Sequence, residues 1–187
     1  MGLKRWKKIS EQVVVENAWW VYKKDLYELP SGSRGVYNYV HSNGSSMVIP
    51  VRENGTIIMV KQYRYLCELE SLEFPAGGVK KGITHDQTAR DELVEETGFS
   101  ARQLVLVSRF NPYNGVTNEM CHVYVARELQ QVGSAPDETE DFEIVMLTPA
   151  EIDEYIRNGT IWDGMSIAAW CQAKMIVGFD DSRKEGG

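Results

Sequence analysis

Three glutamates lie close together near the middle of the chain, at positions 92, 95 and 96. On an α-helix, side chains four residues apart stack on one face, so Glu92 and Glu96 would present their carboxylates together, with Glu95 displaced around the same turn. Like charges in this arrangement repel, and the pattern is therefore favourable mainly where a cation lies among them. Hard divalent cations such as Mg²⁺ take oxygen ligands and commonly share one or two carboxylates with substrate phosphates. The spacing therefore predicts a divalent-cation site that acts on a phosphorylated compound.

A solvated acidic helix face is the alternative interpretation of the same glutamates. Two features favour the cation site. The glutamates fall in the C-terminal half of the predicted helix, where the helix dipole disfavours negative charge. A glycine-rich stretch that includes Gly77 precedes the helix and allows the backbone to approach a ligand closely.

The helix that must position these glutamates is predicted over residues 84–97, where Ala89 and Leu93 are spaced four apart. Thr84 with Gln87 three residues later can form a capping box at its start. Gly98 is the residue type that ends a helix in the left-handed conformation. Both borders of the helix are therefore predicted from local signals.

The elements around this helix are mostly predicted strands, rich in β-branched and aromatic residues and bounded by turn residues. Asn54-Gly55 is typical of a hairpin turn between two of them. Pro149 opens a predicted helix, and another, which buries Ile167 and Trp170, is predicted near the end of the chain. The strands are predicted over 12–28, 36–41, 47–52, 56–62, 104–110, 120–126 and 142–147, and the two later helices over 149–158 and 165–176. We therefore expect an α+β fold in which a mixed sheet is flanked by helices.

The composition fits one globular domain with an additional element: 187 residues, 43% hydrophobic and 25% charged. The net charge of −7 argues against nonspecific attraction to nucleic acid or to an anionic membrane. No stretch approaches the ~20 apolar residues that span a bilayer. The three cysteines are odd in number and lack metal-finger spacing, which predicts reduced thiols in the core and a cytoplasmic protein.

The stretch from 77 to 99 resembles the signature of the Nudix hydrolases: Gly, five residues, Glu, seven residues, then Arg-Glu-U-x-Glu-Glu-x-Gly-U, with U apolar. The positions that match in register are Gly77, Glu92, Leu93, Glu95, Glu96, Gly98 and Phe99. Ile83 stands where the signature has its first Glu, and Asp91 stands where it has Arg. In the family that arginine helps to orient the carboxylates, and Arg90, ~100° away around the helix, is a poor substitute for it.

The resemblance implies an α/β/α sandwich with a mixed β-sheet between helices and an N-terminal β-strand extension. It also implies a site that holds Mg²⁺, with Mn²⁺ as a possible replacement. Its ligands are then Glu92 and Glu96, with Glu95 as a neighbour and the Ala76 carbonyl as a further ligand.

The resemblance covers roughly residues 19–173 and is strongest to the subfamily that hydrolyses ADP-ribose and other nucleoside diphosphate sugars. The runs that carry it are 60–65, 72–77 and 137–143. The last of these resembles the catalytic loop of the subfamily, which makes Glu140 or Glu138 the candidate general base. Glu140 is slightly preferred, although residues two apart share a face if the loop is extended. An acidic surface loop is the alternative interpretation.

Candidate substrate contacts come partly from the residues and partly from the resemblance. The guanidinium of Arg64 could bind a phosphate through its planar fork, and Gly77 could let the backbone approach the substrate. Trp19, Trp20 and Tyr22 could stack on a nucleobase, although aromatic residues in strands are more often part of the core. The loop 111–118 is expected to border the substrate. His41, His85 and His122 are interpreted as bystanders.

The subfamily resemblance further implies a homodimer. Residues 1–45 would form an N-terminal extension for dimerisation and base binding, 46–180 the Nudix hydrolase domain, and 181–187 a flexible tail. Rival hypotheses are a Nudix hydrolase of dinucleoside polyphosphates or coenzyme A, a non-catalytic Nudix module that binds a nucleotide, and a structural domain with an acidic helix.

Overall fold

A computed structural model describes residues 3–133 and 143–179 of the chain. Its strands are β1 (Lys7–Glu16), β2 (Val21–Glu28), β3 (Arg34–His41), β4 (Ser45–Pro50), β5 (Ile57–Arg64), β6 (Leu69–Glu73), β7 (Ala76–Gly78), β8 (Phe99–Phe110), β9 (Cys121–Gln131) and β10 (Glu143–Leu147). Its helices are α1 (His85–Thr97), α2 (Pro149–Arg157) and α3 (Gly164–Val177). Among the described residues, no helix has both the length and the apolar character needed to cross a membrane.

The strands form three sheets, with the orders β1-β2-β3, β10-β5-β6 and β7-β4-β9-β8. β4 and β9 run parallel, whereas β4 with β7 and β8 with β9 are antiparallel, so the sheet beside α1 is mixed. The short strand β7 pairs Ala76 with Met47 and Gly77 with Ser46. This pairing fixes the glycine-rich stretch at one edge of the sheet.

The central strands β4 and β9 are covered on both faces. Met47 and Ile49 point into a large core that includes Phe74 and Trp170. Val48, which lies between them, points to the opposite face and packs with Ala89 and Leu93 of α1. Because successive side chains alternate across a strand, α1 and α3 lie on opposite sides of this sheet. The predicted α+β fold, with a mixed sheet between helices, is confirmed.

The borders of α1 are those predicted from the sequence. The Thr84 hydroxyl accepts a hydrogen bond from the Gln87 backbone N–H at 3.2 Å, which caps the first turn. Gly98 ends the helix with φ 73°, in the left-handed region. The later helices begin and end within two residues of their predicted borders, and Trp170 is buried as expected, whereas Ile167 is only partly buried.

Two expectations about local structure need correction. The turn at Asn54-Gly55 forms, but β4 and β5 enter different sheets and are joined only by an isolated bridge between Val51 and Ile57. Only one of the three cysteines is in the core. Cys67 and Cys171 are exposed, whereas Cys121 is buried, and burial raises the pKa of its thiol to about 11.

Candidate active site

Glu92 and Glu96 lie four residues apart on one face of α1, and the Glu92 carboxylate lies against β7. Glu92 is half-buried, and Glu96 is only 8% exposed, whereas Glu95 is exposed at the helix surface. The four-residue spacing therefore brings two of the three predicted glutamates into the protein and leaves the third at its edge.

Gly77 is the residue at which β7 contacts Glu92. A Cβ atom added to Gly77 would lie 1.9 Å from Oε1 of Glu92 and 2.1 Å from its Cδ. The Glu92 carboxylate therefore packs directly against the backbone of β7, next to Ala76. A Cβ added to Gly78, the next residue, would have no heavy atom within 4 Å, so the close approach is specific to position 77.

Arg64 lies at the end of β5, where Glu73 of β6 holds its guanidinium. Arg64 Nε donates to Glu73 Oε1 at 2.7 Å, and Arg64 Nη2 donates to Glu73 Oε2. Glu73 is only 4% exposed. The hydrogen bond to Glu73 raises the pKa of Arg64, and the charges of Asp163 and Glu96 act in the same direction. Arg64 is therefore fixed within electrostatic reach of the α1 carboxylates.

The N-terminus of α3 supports the segment between β6 and β7. Asp163 caps α3 by accepting from the Ser166 backbone N–H at 2.7 Å. The buried Ser166 hydroxyl accepts from the Phe74 backbone N–H at 3.1 Å. On the other side of this segment, the Val48 backbone N–H donates to Pro75 O at 2.9 Å. The residues just before Ala76 are thus held from both α3 and β4.

The carboxylate oxygens of α1 and the backbone carbonyl oxygens of β7 are ligand types that suit a hard divalent cation. Within residues 3–133 and 143–179, no three side chains of His, Cys, Asp or Glu converge as a metal site built from side chains alone. Mg²⁺ keeps several waters and is often bound through one or two carboxylates together with substrate phosphates. Glu92, which packs against the Gly77 backbone, and the buried Glu96 one helical turn later could supply these one or two carboxylates.

Comparison with known proteins decides the family. Residues 42–165 match the sequence profile of the NUDIX domain, which covers more than half of the chain. The chain belongs to the Nudix family. The expectation drawn from the signature is confirmed, despite Ile83 and Asp91.

Relatives of this Nudix protein include an ADP-ribose pyrophosphatase of Bacillus subtilis (strain 168), 33% identical over 80% of this chain and 81% of that protein. A methanol dehydrogenase activator of Bacillus methanolicus is 35% identical over 78% of this chain and 80% of that protein. A solved structure described as "Crystal structure of ADP compounds hydrolase" has a TM-score of 0.82 and covers 94% of this chain and 95% of that one. At 20% identity it shows the fold alone. The sequence relatives confirm the expected subfamily.

The predicted base-stacking residues of this Nudix protein lie in its N-terminal sheet. Trp19 and Trp20 occupy the turn between β1 and β2, where the Asn17 side chain accepts from both of their backbone N–H groups at 2.9 Å. Trp19 is 82% exposed, and Tyr22 is half-buried on β2, opposite Val40. The N-terminal sheet is separate from the one that contains β7, so strand pairing does not bring these residues to the carboxylates.

A cavity of about 660 Å³ lies between the N-terminal sheet and the loop 111–118. The residues that line it are mostly polar or charged and include Lys23, Asp25, Tyr39, His41, Asn111 and Asn118. Just after this loop, Glu119 accepts a hydrogen bond from the Ser45 hydroxyl at 2.6 Å, and Ser45 pairs with Gly78 of β7. A chain of direct contacts, from Glu119 to Ser45 and from Ser45 to Gly78, therefore links the edge of the cavity to β7.

Three aspects of the predicted site have different outcomes. Glu138 and Glu140, the candidate bases, lie outside the described residues. The guanidinium of Arg90, expected to be a poor substitute for the signature arginine, donates to Asp86 and to Ala101 O. Sequence reasoning missed Glu73 as the partner of Arg64. The only signal for that pairing was the place of Glu73 in a run that resembles the subfamily.

Proposed function

We propose that this Nudix protein hydrolyses the pyrophosphate bond of a nucleoside diphosphate sugar such as ADP-ribose. The reaction depends on Mg²⁺ and yields a nucleoside monophosphate and a sugar phosphate. The observation that carries the proposal is the packing of Glu92 against Gly77, with the buried Glu96 on the same helix face. Relatives named ADP-ribose pyrophosphatase and GDP-mannose pyrophosphatase support the substrate class.

A pyrophosphate bridge resists attack because its negatively charged oxygens repel an incoming nucleophile. Bound divalent cations supply positive charge to the phosphates and lower the pKa of a bound water. Glu92, Glu96 and the Ala76 carbonyl would hold these cations, with Glu95 at the exposed edge of the site. Mn²⁺ prefers similar ligands and is expected to replace Mg²⁺.

Arg64 would bind a phosphate of the substrate. A guanidinium has five N–H donors, and Glu73 accepts from Nε and one Nη2 proton, which leaves the Nη1 edge available. The side chain is 46% exposed and can therefore meet a ligand from solvent. Because Glu73 fixes the fork in advance, little side-chain entropy is lost on binding.

The general base that takes the proton from water is Glu140 or Glu138 in this proposal. Glutamine variants at the two positions would separate their roles. A loss of at least ~10²-fold in kcat from one variant, with a small effect from the other, identifies the base. Equal small effects would remove the role from this loop.

The N-terminal extension, residues 1–45, would provide dimer contacts and part of the base site, while 46–180 would form the hydrolase domain. Trp19, Trp20 and Tyr22 supply aromatic faces for a nucleobase. The cavity beside loop 111–118 offers amide and hydroxyl groups that suit a sugar. The cytoplasmic location and the homodimer remain predictions.

The test incubates the pure protein with ADP-ribose, GDP-mannose, UDP-glucose and a diadenosine polyphosphate in the presence of Mg²⁺, and measures release of nucleoside monophosphate. We expect turnover of a diphosphate sugar that chelator abolishes and added Mg²⁺ restores. Preference for the diadenosine compound would favour the rival substrate class. If no compound is turned over, the rival hypothesis of a non-catalytic nucleotide-binding module would be favoured.

Charge removal at Glu92 and Glu96 tests the site itself. Glu92→Gln and Glu96→Gln should each lower kcat by at least ~10²-fold, because each removes a ligand charge that stabilises the transition state. Asp91→Asn is the matched control, since Asp91 is exposed on the same helix and bonds only to Gln87 among the described residues. Near-normal turnover in both glutamate variants would reject the site.

A further inference from the structure

The helix that carries the carboxylates lacks the arginine that helps to orient them in the family signature. Ile83 and Asp91 stand at the Glu and Arg positions, and within the described residues neither contributes an ion pair. Asp91 instead accepts from Gln87 Nε2 at 2.8 Å on its own helix. Some other contact must therefore fix the rotation of α1 against the sheet.

His85, the first residue of α1, makes such a contact with β4. Its Nδ1 lies 3.0 Å from Ser45 O and 3.1 Å from Ser46 Oγ, and the Ser46 hydroxyl donates to His85 O at 2.9 Å. A carbonyl oxygen can only accept, so Nδ1 carries the proton in this arrangement. Ser46 is fully buried, which shields these bonds from water.

The His85 ring is also enclosed by its neighbours. The ring of His122 stacks on it with centroids 3.5 Å apart and an interplanar angle of 17°. A Cβ on Gly44 would lie 2.7 Å from His85 Cε1, so the absence of a side chain there leaves room for the ring. Burial, together with the charges of His85 and Arg109, lowers the pKa of His122 to about 4. The stacked partner is therefore uncharged near neutral pH.

His85 lies on the same face of the helix as the cation ligands. At ~100° per residue, positions 85, 92 and 96 fall within about 40° of one another around the helix axis, with 85 between the other two. Ser45 and Ser46, the partners of His85, pair with Gly78 and Gly77, and Gly77 is packed against Glu92. The helix thus contacts β4 through His85 and the neighbouring strand β7 through Glu92, two turns later.

We infer that His85, bonded to Ser45 and Ser46 and stacked on His122, is a positioning residue. It sets the rotation of α1, so that Glu92 and Glu96 face the Ala76–Gly77 backbone. In this chain His85 thereby takes over the orienting role of the signature arginine, which Asp91 replaces. The inference rests on the proposed function for its kinetic readout. It does not do so for its metal-binding readout.

The experiment uses variants of the full chain that separate the Nδ1 hydrogen bond from ring stacking. His85→Phe keeps a ring but has no donor, and His85→Gln places its amide near Nε2. His85→Asn places an N–H near Nδ1 and serves as the conservative rescue. Two quantities are measured: kcat and KM with the preferred substrate at varied Mg²⁺, and Mn²⁺ affinity by electron paramagnetic resonance without substrate.

We expect His85→Phe and His85→Gln to lower kcat and weaken Mn²⁺ binding by about 10-fold or more, as outer-shell partners of metal ligands do. KM for the substrate should stay within about 2-fold, because Arg64 and the cavity are unchanged. His85→Asn should recover most of both losses. Asp86→Asn is the control, since it breaks the Arg90 ion pair in the same helical turn without touching β4, and it should match wild type.

Several outcomes would overturn the inference. One is a folded His85→Phe variant whose Mn²⁺ affinity lies within about 2-fold of wild type. A second is a His85→Asn variant that recovers neither kcat nor Mn²⁺ affinity. A third is an Asp86→Asn variant that loses as much Mn²⁺ affinity as His85→Phe. If His85→Phe does not fold, Ser46→Ala removes the hydroxyl alone and must reproduce the weaker Mn²⁺ binding. If wild type turns over no substrate, the proposed function fails, and the Mn²⁺ titrations alone decide the role of His85.

Discussion

Glu73 shows how one buried carboxylate can organise a binding group. It lies at the end of β6, almost inaccessible to water, and accepts two hydrogen bonds from Arg64. A buried charge is tolerated only when it is paired and hydrogen-bonded. Arg64 pairs with Glu73 through Nε and Nη2, and its Nη1 edge remains available for a ligand. The pair therefore serves both the fold and the proposed phosphate contact.

Replacement of Glu73 by Gln should affect stability and substrate binding together. The amide keeps the shape but loses the charge-assisted bonds, so we expect the free energy of unfolding to fall by about 1–3 kcal/mol. KM should rise several-fold, because Arg64 is no longer held. Urea unfolding and steady-state kinetics measure the two effects.

The matched control is Glu28→Gln, which breaks the more exposed pair between Glu28 and Arg34 in the N-terminal sheet. An exposed ion pair contributes about 0–1 kcal/mol, so the change in unfolding free energy should be small. Equal effects in the two variants would show that the burial of Glu73 has no special role.

The junction of β7 with α1 is the element on which the carboxylate geometry depends. The strand is only three residues long, and it touches the helix where Gly77 meets Glu92. The two neighbouring glycines differ sharply in the space around them, and neither has a positive φ. They therefore offer a controlled test of close approach, free of backbone strain.

Gly77→Ala should lower kcat by about 10-fold or more, because the new methyl would overlap the Glu92 carboxylate and displace it from its position against β7. Gly78→Ala adds the same methyl to open space and should retain wild-type kinetics. Circular dichroism would verify that both variants fold. If Gly77→Ala is as active as Gly78→Ala, Glu92 does not need its present position.

The sequence predicted elements best where the signals were local. Thr84 and Gly98 mark the ends of α1 because a cap depends on residues within one turn. The β5–β6 hairpin was missed, since its turn places Glu68 at φ 54° without a Gly or Asn to indicate it. The pairing of Arg64 with Glu73 follows from that hairpin and was missed with it.

Contacts between distant segments could not be read from spacing. The stacking of His85 on His122 could not be predicted, because nothing in the sequence places β9 beside β4. The Asn54-Gly55 turn formed, yet tertiary pairing drew its two strands into different sheets. Tertiary packing thus overrides local preference where the site is assembled.

At the scale of the whole molecule, the N-terminal sheet exposes an unusual amount of apolar surface. Every residue of β1 is exposed, including Ile9, Val13, Val14 and Val15. Trp6 stacks on Tyr27 at 4.5 Å but remains more than half exposed. Exposed apolar side chains gathered on one strand are typical of a surface that a protein partner covers. It supports the proposed homodimer.

We expect wild type to elute as a dimer at micromolar concentration in size-exclusion chromatography with light scattering. Val13→Asp should shift it toward monomer, because a charge would be buried in the interface. Val105→Asp is the control: Val105 on β8 is 49% exposed, close to the 51% of Val13, but lies outside this sheet. A monomeric wild type, or equal dissociation by both variants, would contradict the dimer.

The parallel pairing of β4 with β9 also has a consequence for biosynthesis. β4 supports both β7 and the His85 attachment, yet its partner strand emerges from the ribosome roughly 75 residues later. A nascent chain that ends before Cys121 already contains every glutamate of α1 but has no β9 against which to complete the sheet. The junction of α1 with β7 and β4 therefore matures late in translation, so a truncated product would carry the entire signature without the sheet that positions it.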